Sequence, residues 1–121
     1  MLRDPQDRGV ISAVNLAEVV DVLVRLRART YAEVTEKLDW LAAGGLAVEP
    51  VTEGVGRMAG RIRAHHYDRR LRPISLADCI ALATARAREE PLATSDPILI
   101  GIAGAEGAQV IGLPDSNGTL P

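Results

Sequence analysis

Four short apolar segments separated by longer amphipathic ones restrict the fold of this chain more than any other feature of its sequence. Each segment has the length expected of a buried β-strand. The segments are "VISA" (10–13), "LAVEPV" (46–51), "PLATS" (91–95) and "AQVIGL" (108–113). Because parallel strands need a crossover connection, usually a helix, this alternation predicts an α/β domain with a small, mainly parallel sheet.

The segments between the strands combine helix-start signals with helical spacing of apolar residues. Residues 30–33 form a capping-box pattern, Thr52 and Ser75 are typical N-cap residues, and Asp96 directly precedes a proline. Helices are predicted over about 15–29, 30–43, from 52 onwards, 75–89 and from 97 onwards, with a polar loop at 65–73. The first helix has the apolar stripe Leu16, Val19, Val20, Leu23 and Leu26.

Length and composition indicate one globular domain. The chain has 121 residues, is 47% hydrophobic and contains no Phe, so its core is expected to consist of Ala, Val, Leu and Ile. We expect a single domain over residues 1–121, with a short lead at 1–9 and a flexible tail at 114–121. The net charge of −2 gives no overall attraction to nucleic acid or anionic membranes.

Features that would direct the chain out of the cytoplasm are not found in the sequence. Cys79 is the only cysteine, which excludes an internal disulfide. The start "MLRDPQDRG" lacks the apolar stretch of a signal peptide. The longest apolar run, "ILIGIAGA", is far shorter than the roughly 20 residues of a membrane helix. We expect a cytoplasmic protein that does not bind a membrane.

Three acidic residues are candidates for a functional site, and each has a structural alternative. Asp78 is the only carboxylate in the apolar stretch "ISLADCIALATA" (74–85), so it must cap the helix, pair with another group or bind a cation. In the structural alternative, Asp78 acts with Ser75 to cap the helix, where the helix dipole favours an acid in the first turn. Asp96 is a typical N-cap residue, and Glu18 lies off the apolar stripe, as a solvated charge would.

The predicted fold gives these three acids a common location. Glu18 and Asp96 each follow the carboxyl end of a predicted strand, and Asp78 lies at a helix start. Ligands of parallel sheets bind at that edge, where three carboxylates would repel one another without a cation. Oxygen ligands suit Mg²⁺ or Mn²⁺, which lower the pKa of a bound water and stabilise an in-line phosphoryl displacement.

Four stretches, in this order and at this spacing, resemble the PIN-domain family and, within it, the VapC-type toxins of bacterial toxin–antitoxin modules. The stretches are "ISAVNLAEVVDVL", "VEPVTE", "SLADCIALATA" and "PLATSD". The resemblance extends from about Val10 to Leu113. It implies a three-layer PIN-like fold and a Mg²⁺-dependent endoribonuclease that hydrolyses RNA with four acids around its metal site.

The resemblance also assigns roles to individual residues. Glu18, Asp78 and Asp96 match the family's second, third and fourth acids, which are both metal ligands and catalytic residues. Thr94 matches the small hydroxyl residue beside the last acid, and Ser95 is a second supporting hydroxyl. The family implies two protein partners, a cognate VapB-like antitoxin and a second toxin subunit in a homodimer.

The first acid of the family has no match in this sequence. In the family it ends a central strand, whereas only nine residues precede Val10 here; Asp4 is a candidate substitute in a polar context. Omitting that strand would leave backbone groups unpaired in the middle of the sheet. The sequence leaves four explanations open: the sheet closes across the gap, a partner chain supplies a strand, the chain is truncated, or an upstream start codon was missed.

Residues 57–72 contain six arginines and one acid, Asp68, which gives this stretch a charge of +5. Such a patch beside a metal centre would track an RNA backbone. The alternative is the solvated face of an amphipathic helix. The candidate RNA contacts are Arg57, Arg61, Arg69, Arg70 and Arg72.

A function of a different class is a catalytically impaired PIN-like module that binds an antitoxin or a toxin subunit. The unmatched first acid favours this alternative. Trp40, one of three aromatic residues among Trp, Tyr and Phe, is the first candidate anchor for a partner, because aromatic side chains are enriched at interface centres.

Overall fold

The computed structural model describes residues 9–115 and 117–121, and the chain divides into two compact units, Met1–Val51 and Thr52–Pro121. Strands and helices alternate along the described residues, which confirms the predicted α/β fold class. The elements are β1 (Val10–Ser12), α1 (Ala13–Arg25), α2 (Tyr31–Ala43), β2 (Ala47–Glu49), α3 (Glu53–His66), α4 (Leu76–Ala87), β3 (Leu92–Thr94), α5 (Pro97–Ala105) and β4 (Val110–Gly112).

The first unit contains a two-stranded parallel sheet, β1 and β2, together with α1 and α2. Ser12 ends β1 opposite Glu49 and is buried. Its hydroxyl accepts a hydrogen bond from the Asn15 N–H at 3.0 Å and so caps α1. Since one residue both ends the strand and caps the helix, α1 begins at Ala13, slightly earlier than predicted.

α2 forms with the predicted capping box. The Thr30 hydroxyl accepts a hydrogen bond from the Glu33 N–H at 3.1 Å, and the Glu33 carboxylate accepts one from the Thr30 N–H at 3.2 Å. The helix ends at Ala43, and Gly45 then adopts φ 112°, a conformation that favours glycine. Both ends of this helix therefore follow from local sequence signals.

The apolar stripe of α1 is only partly covered. Leu16, Val20 and Leu23 are half-buried, whereas Val19 and Leu26 are exposed. Among the described residues of the first unit, only one hydrophobic side chain, Val34 on α2, is buried. Two short strands and two helices offer little apolar surface for one another to bury, so the first unit has a small core.

Packing of α3 against α4 forms the core of the second unit. Ala59 on α3 is 1% exposed and Ala83 on α4 is fully buried, and small side chains at a helix contact allow close approach of the backbones. Ile62 and Leu82 are fully buried beside them. The other buried hydrophobic side chains of this unit are Val55, Ile74, Cys79, Ile80, Ala85, Leu92, Leu99, Ile102 and Ala103.

α4 leads into β3 through a tight reversal. The Glu90 N–H donates to the Ala85 carbonyl at 3.0 Å, and Glu89 between them adopts φ 55°, in the left-handed region. Gly107 occupies the corresponding position after α5, with φ 76°. These reversals bring β3 and β4 into a two-stranded parallel sheet.

The segment predicted as a polar loop at 65–73 is more ordered than the sequence suggested. α3 continues through His66. Asp68 and Arg72 then form an antiparallel bridge, with backbone N–H to carbonyl distances of 3.1 and 2.9 Å in the two directions. A hairpin turn therefore connects α3 to α4.

An ion-pair network links the carboxyl ends of α3 and α5. The Glu106 carboxylate accepts a hydrogen bond from Arg61 at 2.7 Å through one oxygen and lies 2.7 Å from His66 Nε2 through the other. The Glu106 and His66 side chains are each only 13% exposed. Arg61 and, to a lesser degree, His66 hold the pKa of the Glu106 carboxyl below its ordinary value.

Truncation of the α3–α4 core should destabilise the protein strongly. Leu82→Ala removes a fully buried side chain, and we expect a loss of about 2–5 kcal/mol in the free energy of unfolding, measured with urea. Leu71→Ala is the matched control, since Leu71 is 71% exposed, and its effect should stay within about 0.5 kcal/mol. Equal losses in the two variants would contradict the assignment of the core.

Glu106→Gln should make the protein less stable in a pH-dependent way. Because folding lowers the pKa of Glu106, its ionised form contributes stability above the ordinary value of 4.5, and this contribution is lost as the pH falls through the folded-state pKa. Urea unfolding should therefore show a higher free energy of unfolding for wild type than for Glu106→Gln at about pH 6, with the difference narrowing as the pH falls below 4.5. Glu53→Gln, which breaks a fully solvated pair with Arg57, serves as the control. A gap between wild type and Glu106→Gln that stays constant over this range would refute the charge-based explanation.

Candidate active site

Asp78 lies in the first turn of α4, where the helix cap does not use its carboxylate. The Ser75 hydroxyl caps the helix by accepting a hydrogen bond from the Asp78 N–H at 3.0 Å. The Asp78 side chain has no hydrogen bond or ion pair with any described residue. The cap of α4 is therefore complete without this charge.

Comparison with α2 explains why the Asp78 carboxylate makes no hydrogen bond to the N-cap backbone of its helix. Glu33 occupies the same position of its helix and bonds back to the Thr30 N–H, whereas no such bond joins Asp78 to Ser75. An aspartate is one methylene shorter than a glutamate, so it reaches less far towards the N-cap backbone. The reciprocal capping box, which is the structural alternative for Asp78, is only half formed.

The neighbour of Asp78, Cys79, is not a candidate nucleophile or metal ligand. Its side chain is fully buried, and burial, followed by the nearby Asp78 charge, raises the pKa of the thiol to about 11. A thiol with this pKa remains protonated at neutral pH, and a protonated thiol is neither a nucleophile nor a good ligand.

Asp96 caps α5 with one oxygen of its carboxylate. Its Oδ1 accepts a hydrogen bond from the Ile98 N–H at 2.9 Å, and Pro97 occupies the first helical position, as predicted. The Thr94 hydroxyl accepts a hydrogen bond from the Asp96 N–H at 3.1 Å and so fixes the backbone before the cap. Oδ2 of Asp96 makes no hydrogen bond to a described residue, and Ser95 is exposed.

The order of the elements relates the two aspartates. α4 and β3 contact each other and are joined by the reversal at residues 88–91. A helix that leads into a strand through such a reversal runs antiparallel to that strand. We therefore infer that the start of α4 and the end of β3 lie at the same end of the second unit. Asp78 lies in the first turn of that helix and Asp96 follows that strand, each at a helix amino terminus where the backbone dipole favours negative charge.

Glu18 belongs to the first unit, on α1. Its side chain is exposed and makes no hydrogen bond or ion pair with a described residue. This environment agrees with a solvated charge and equally leaves both oxygens available. Asp4, the candidate substitute for the first acid, lies outside the described residues.

The two aspartates of the second unit suit a divalent cation through the chemistry of their donors. Asp78 offers a whole carboxylate and Asp96 offers one oxygen, and Mg²⁺ and Mn²⁺ prefer such oxygen ligands. Neither unit by itself contains, in its described residues, three or more His, Cys, Asp or Glu side chains grouped to hold a metal. The three-acid centre with Glu18 as its further ligand remains a prediction.

The candidate RNA-binding arginines differ in whether their guanidinium groups form ion pairs or hydrogen bonds within the protein. Arg57 pairs with Glu53 at 3.3 Å, Arg61 pairs with Glu106, and the Arg72 guanidinium donates to the His66 carbonyl at 2.7 Å. Arg69 and Arg70 have no side-chain partner among the described residues. Sequence reasoning did not foresee these engagements or the hairpin turn, although an aspartate that opens a polar stretch is a recognised turn signal.

The Cys79 thiol should resist modification in the folded protein. At about pH 8 a thiol with a pKa of about 11 is ionised to roughly one part in a thousand, and burial blocks access as well. We expect slow reaction with a chromogenic disulfide reagent in buffer and fast reaction in urea. The double variant Cys79→Ala/Ser95→Cys, with its thiol at an exposed position, should react fast in both conditions. Comparable rates for wild type and this variant in buffer would contradict the described burial.

Comparison with known proteins identifies the family of this chain. The family model described as PIN domain matches residues 2–105, a range that includes every element from β1 to α5. No curated protein matches the chain. None of the described helices combines the length and the apolar character needed to cross a membrane. PIN domains are typically nucleases and generally depend on a divalent metal. The chain belongs to the PIN-domain family.

Proposed function

We propose that this protein is a Mg²⁺-dependent endoribonuclease of the VapC toxin type that hydrolyses RNA phosphodiester bonds. The observation that carries the proposal is the Asp78 carboxylate, which lies in the first turn of a largely buried helix and is used neither by the cap nor by an ion pair. A carboxylate that makes no hydrogen bond or ion pair with a described residue, and that only the helix dipole favours, is available for a cation.

Each residue of the proposed site has a distinct task. Asp78 and Asp96 would hold the metal ion, with Glu18 as the third carboxylate. Thr94 would keep Asp96 in place through the backbone bond at 3.1 Å, and Ser95 would support the site with its exposed hydroxyl. When bound, the ion would activate water for attack on phosphorus and neutralise charge in the in-line displacement. Mn²⁺ has the same ligand preferences and would replace Mg²⁺.

The VapC assignment brings two proposed partners besides the RNA substrate. A cognate VapB-like antitoxin would inhibit the enzyme, and two copies of the chain would form a homodimer. The exposed apolar side chains of the first unit support protein partners in general, because large uncovered apolar surfaces mark interaction sites.

A second candidate function is a catalytically impaired PIN-like module that binds an antitoxin or a toxin subunit. A cavity of about 560 Å³ in the first unit favours it, and its lining combines Leu23, Val34 and Trp40 with four charged residues, Arg29, Glu33, Glu36 and Lys37. Trp40 is 71% exposed and Tyr31 at the start of the same helix is 68% exposed. An exposed aromatic side chain that lines a cavity, as Trp40 does, is a typical anchor for a protein partner.

The nuclease proposal is tested by removing single charges. Asp78→Asn should reduce cleavage of a structured RNA in Mg²⁺ by roughly 100-fold or more, and EDTA should abolish cleavage by wild type. Asp96→Asn should lose activity similarly while keeping its stability, because Asn caps helices as well as Asp does. Asp39→Asn, an exposed position on α2, is the matched control and should cleave like wild type.

Equal cleavage by wild type and Asp78→Asn would mean that the activity comes from a contaminant. Calorimetric titration with Mg²⁺ separates the two candidate functions. Metal binding that Asp78→Asn weakens supports the enzyme, whereas no binding at millimolar Mg²⁺ together with retained binding of an antitoxin supports the module.

A further inference from the structure

The hairpin turn between α3 and α4 is held rigidly by its own backbone. Asp68 and Arg72 close it with the two backbone bonds described above. Inside it, the Asp68 carboxylate accepts hydrogen bonds from the N–H groups of Arg70 at 2.9 Å and Leu71 at 2.8 Å. These bonds keep the pKa of Asp68 below its ordinary value, so the turn keeps its form at neutral pH.

Both ends of this turn are anchored to the second unit. The Arg72 guanidinium donates to the His66 carbonyl at 2.7 Å, and the Arg63 guanidinium donates to the Ile74 carbonyl at 3.0 Å. Ile74 is 2% exposed, and Ser75 directly after it caps α4. The turn and the amino terminus of α4 therefore belong to one well-held segment.

Two arginines at the tip of the turn have side chains without a partner among the described residues. Arg69 and Arg70 are exposed, and neither guanidinium bonds to a described residue. The only acid of the turn, Asp68, is already occupied by backbone N–H groups. The other four arginines of residues 57–72 bond to a carboxylate or a carbonyl.

We propose that Arg69 and Arg70 form a clamp for the phosphodiester backbone of RNA, which holds the strand beside the start of α4. This inference rests on the proposed nuclease function and adds the element that positions its substrate. Guanidinium groups bind phosphate oxygens in a bidentate manner, and the rigid turn lowers the entropy lost when they do so. The clamp reads no bases, so binding through it is independent of sequence.

The test measures RNA binding without cleavage. A short fluorescent single-stranded oligoribonucleotide is titrated with protein in EDTA, and its anisotropy is followed over a series of salt concentrations. Arg69→Ala/Arg70→Ala should weaken binding roughly tenfold or more at about 0.1 M salt and lower the slope of log K against log salt by about 1.4, the value for two phosphates of a single strand. Arg69→Lys/Arg70→Lys should restore most of the slope, since the charge is retained.

A charge-matched control removes two arginines elsewhere. Arg27→Ala/Arg86→Ala takes away the same charge at exposed positions outside the turn and should leave affinity and slope close to wild type. Equal losses in the two alanine pairs would overturn the clamp, as would a wild-type protein that does not bind RNA in EDTA.

Cleavage assays on the same proteins separate this inference from the proposed function. If wild type cleaves RNA and Arg69→Ala/Arg70→Ala binds RNA as tightly as wild type does, the clamp is refuted and the proposed nuclease function is retained. Binding that depends on Arg69 and Arg70 without any cleavage in Mg²⁺ supports the clamp and refutes the nuclease.

Discussion

The packing of α3 on α4 is the interaction on which the second unit depends. Without Phe, the chain builds this contact from Ala, Ile and Leu side chains, and the fully buried Ile62 and Leu82 lie within it. Five positions of α4 are buried, so the helix has little freedom to rotate or shift. Asp78 lies in the first turn of that helix, and its position is therefore set by apolar burial and not by its own charge.

The helix caps leave some carboxylate oxygens without a hydrogen bond to a described residue. At α4 a serine hydroxyl makes the cap and the aspartate makes none; at α5 one oxygen of Asp96 makes the cap and the other remains. The first unit shows the opposite use of an acid, since Glu33 is bonded within its capping box. Acids at helix starts of this chain thus differ in how far the fold uses their oxygens, depending on the length of the side chain and on the residue that caps.

Local chemistry made much of the fold predictable, and tertiary packing accounts for what was not. The capping box at residues 30–33 and the Asp96 cap follow from short-range signals, and the structure confirms both. The periodicity of α1 indicated an apolar stripe, yet a stripe does not specify what covers it, and Val19 and Leu26 are exposed.

For the candidate site residues, the sequence predicted their positions at helix starts better than it predicted their hydrogen bonds. The sequence predicted Asp78 in the first turn of a helix. Whether its carboxylate would bond to the N-cap backbone depended on the side-chain length, which is one methylene shorter than that of glutamate. The arginine-rich stretch shows the same limit, because charge counting cannot tell Arg61, which pairs with Glu106, from Arg70, which has no partner among the described residues. To distinguish the two arginines, one must know which residues from distant parts of the sequence fold next to each of them.

The left-handed backbone of Glu89 has a consequence for how this sequence can evolve. A side chain at φ 55° carries a strain of about 1 kcal/mol that glycine, as at position 107, does not carry. Glutamate and glycine codons differ by a single base, so a stabilising change lies one mutational step away. The stability gained by this change would offset the stability lost through a destabilising substitution elsewhere in the domain, including a substitution at one of its acidic residues.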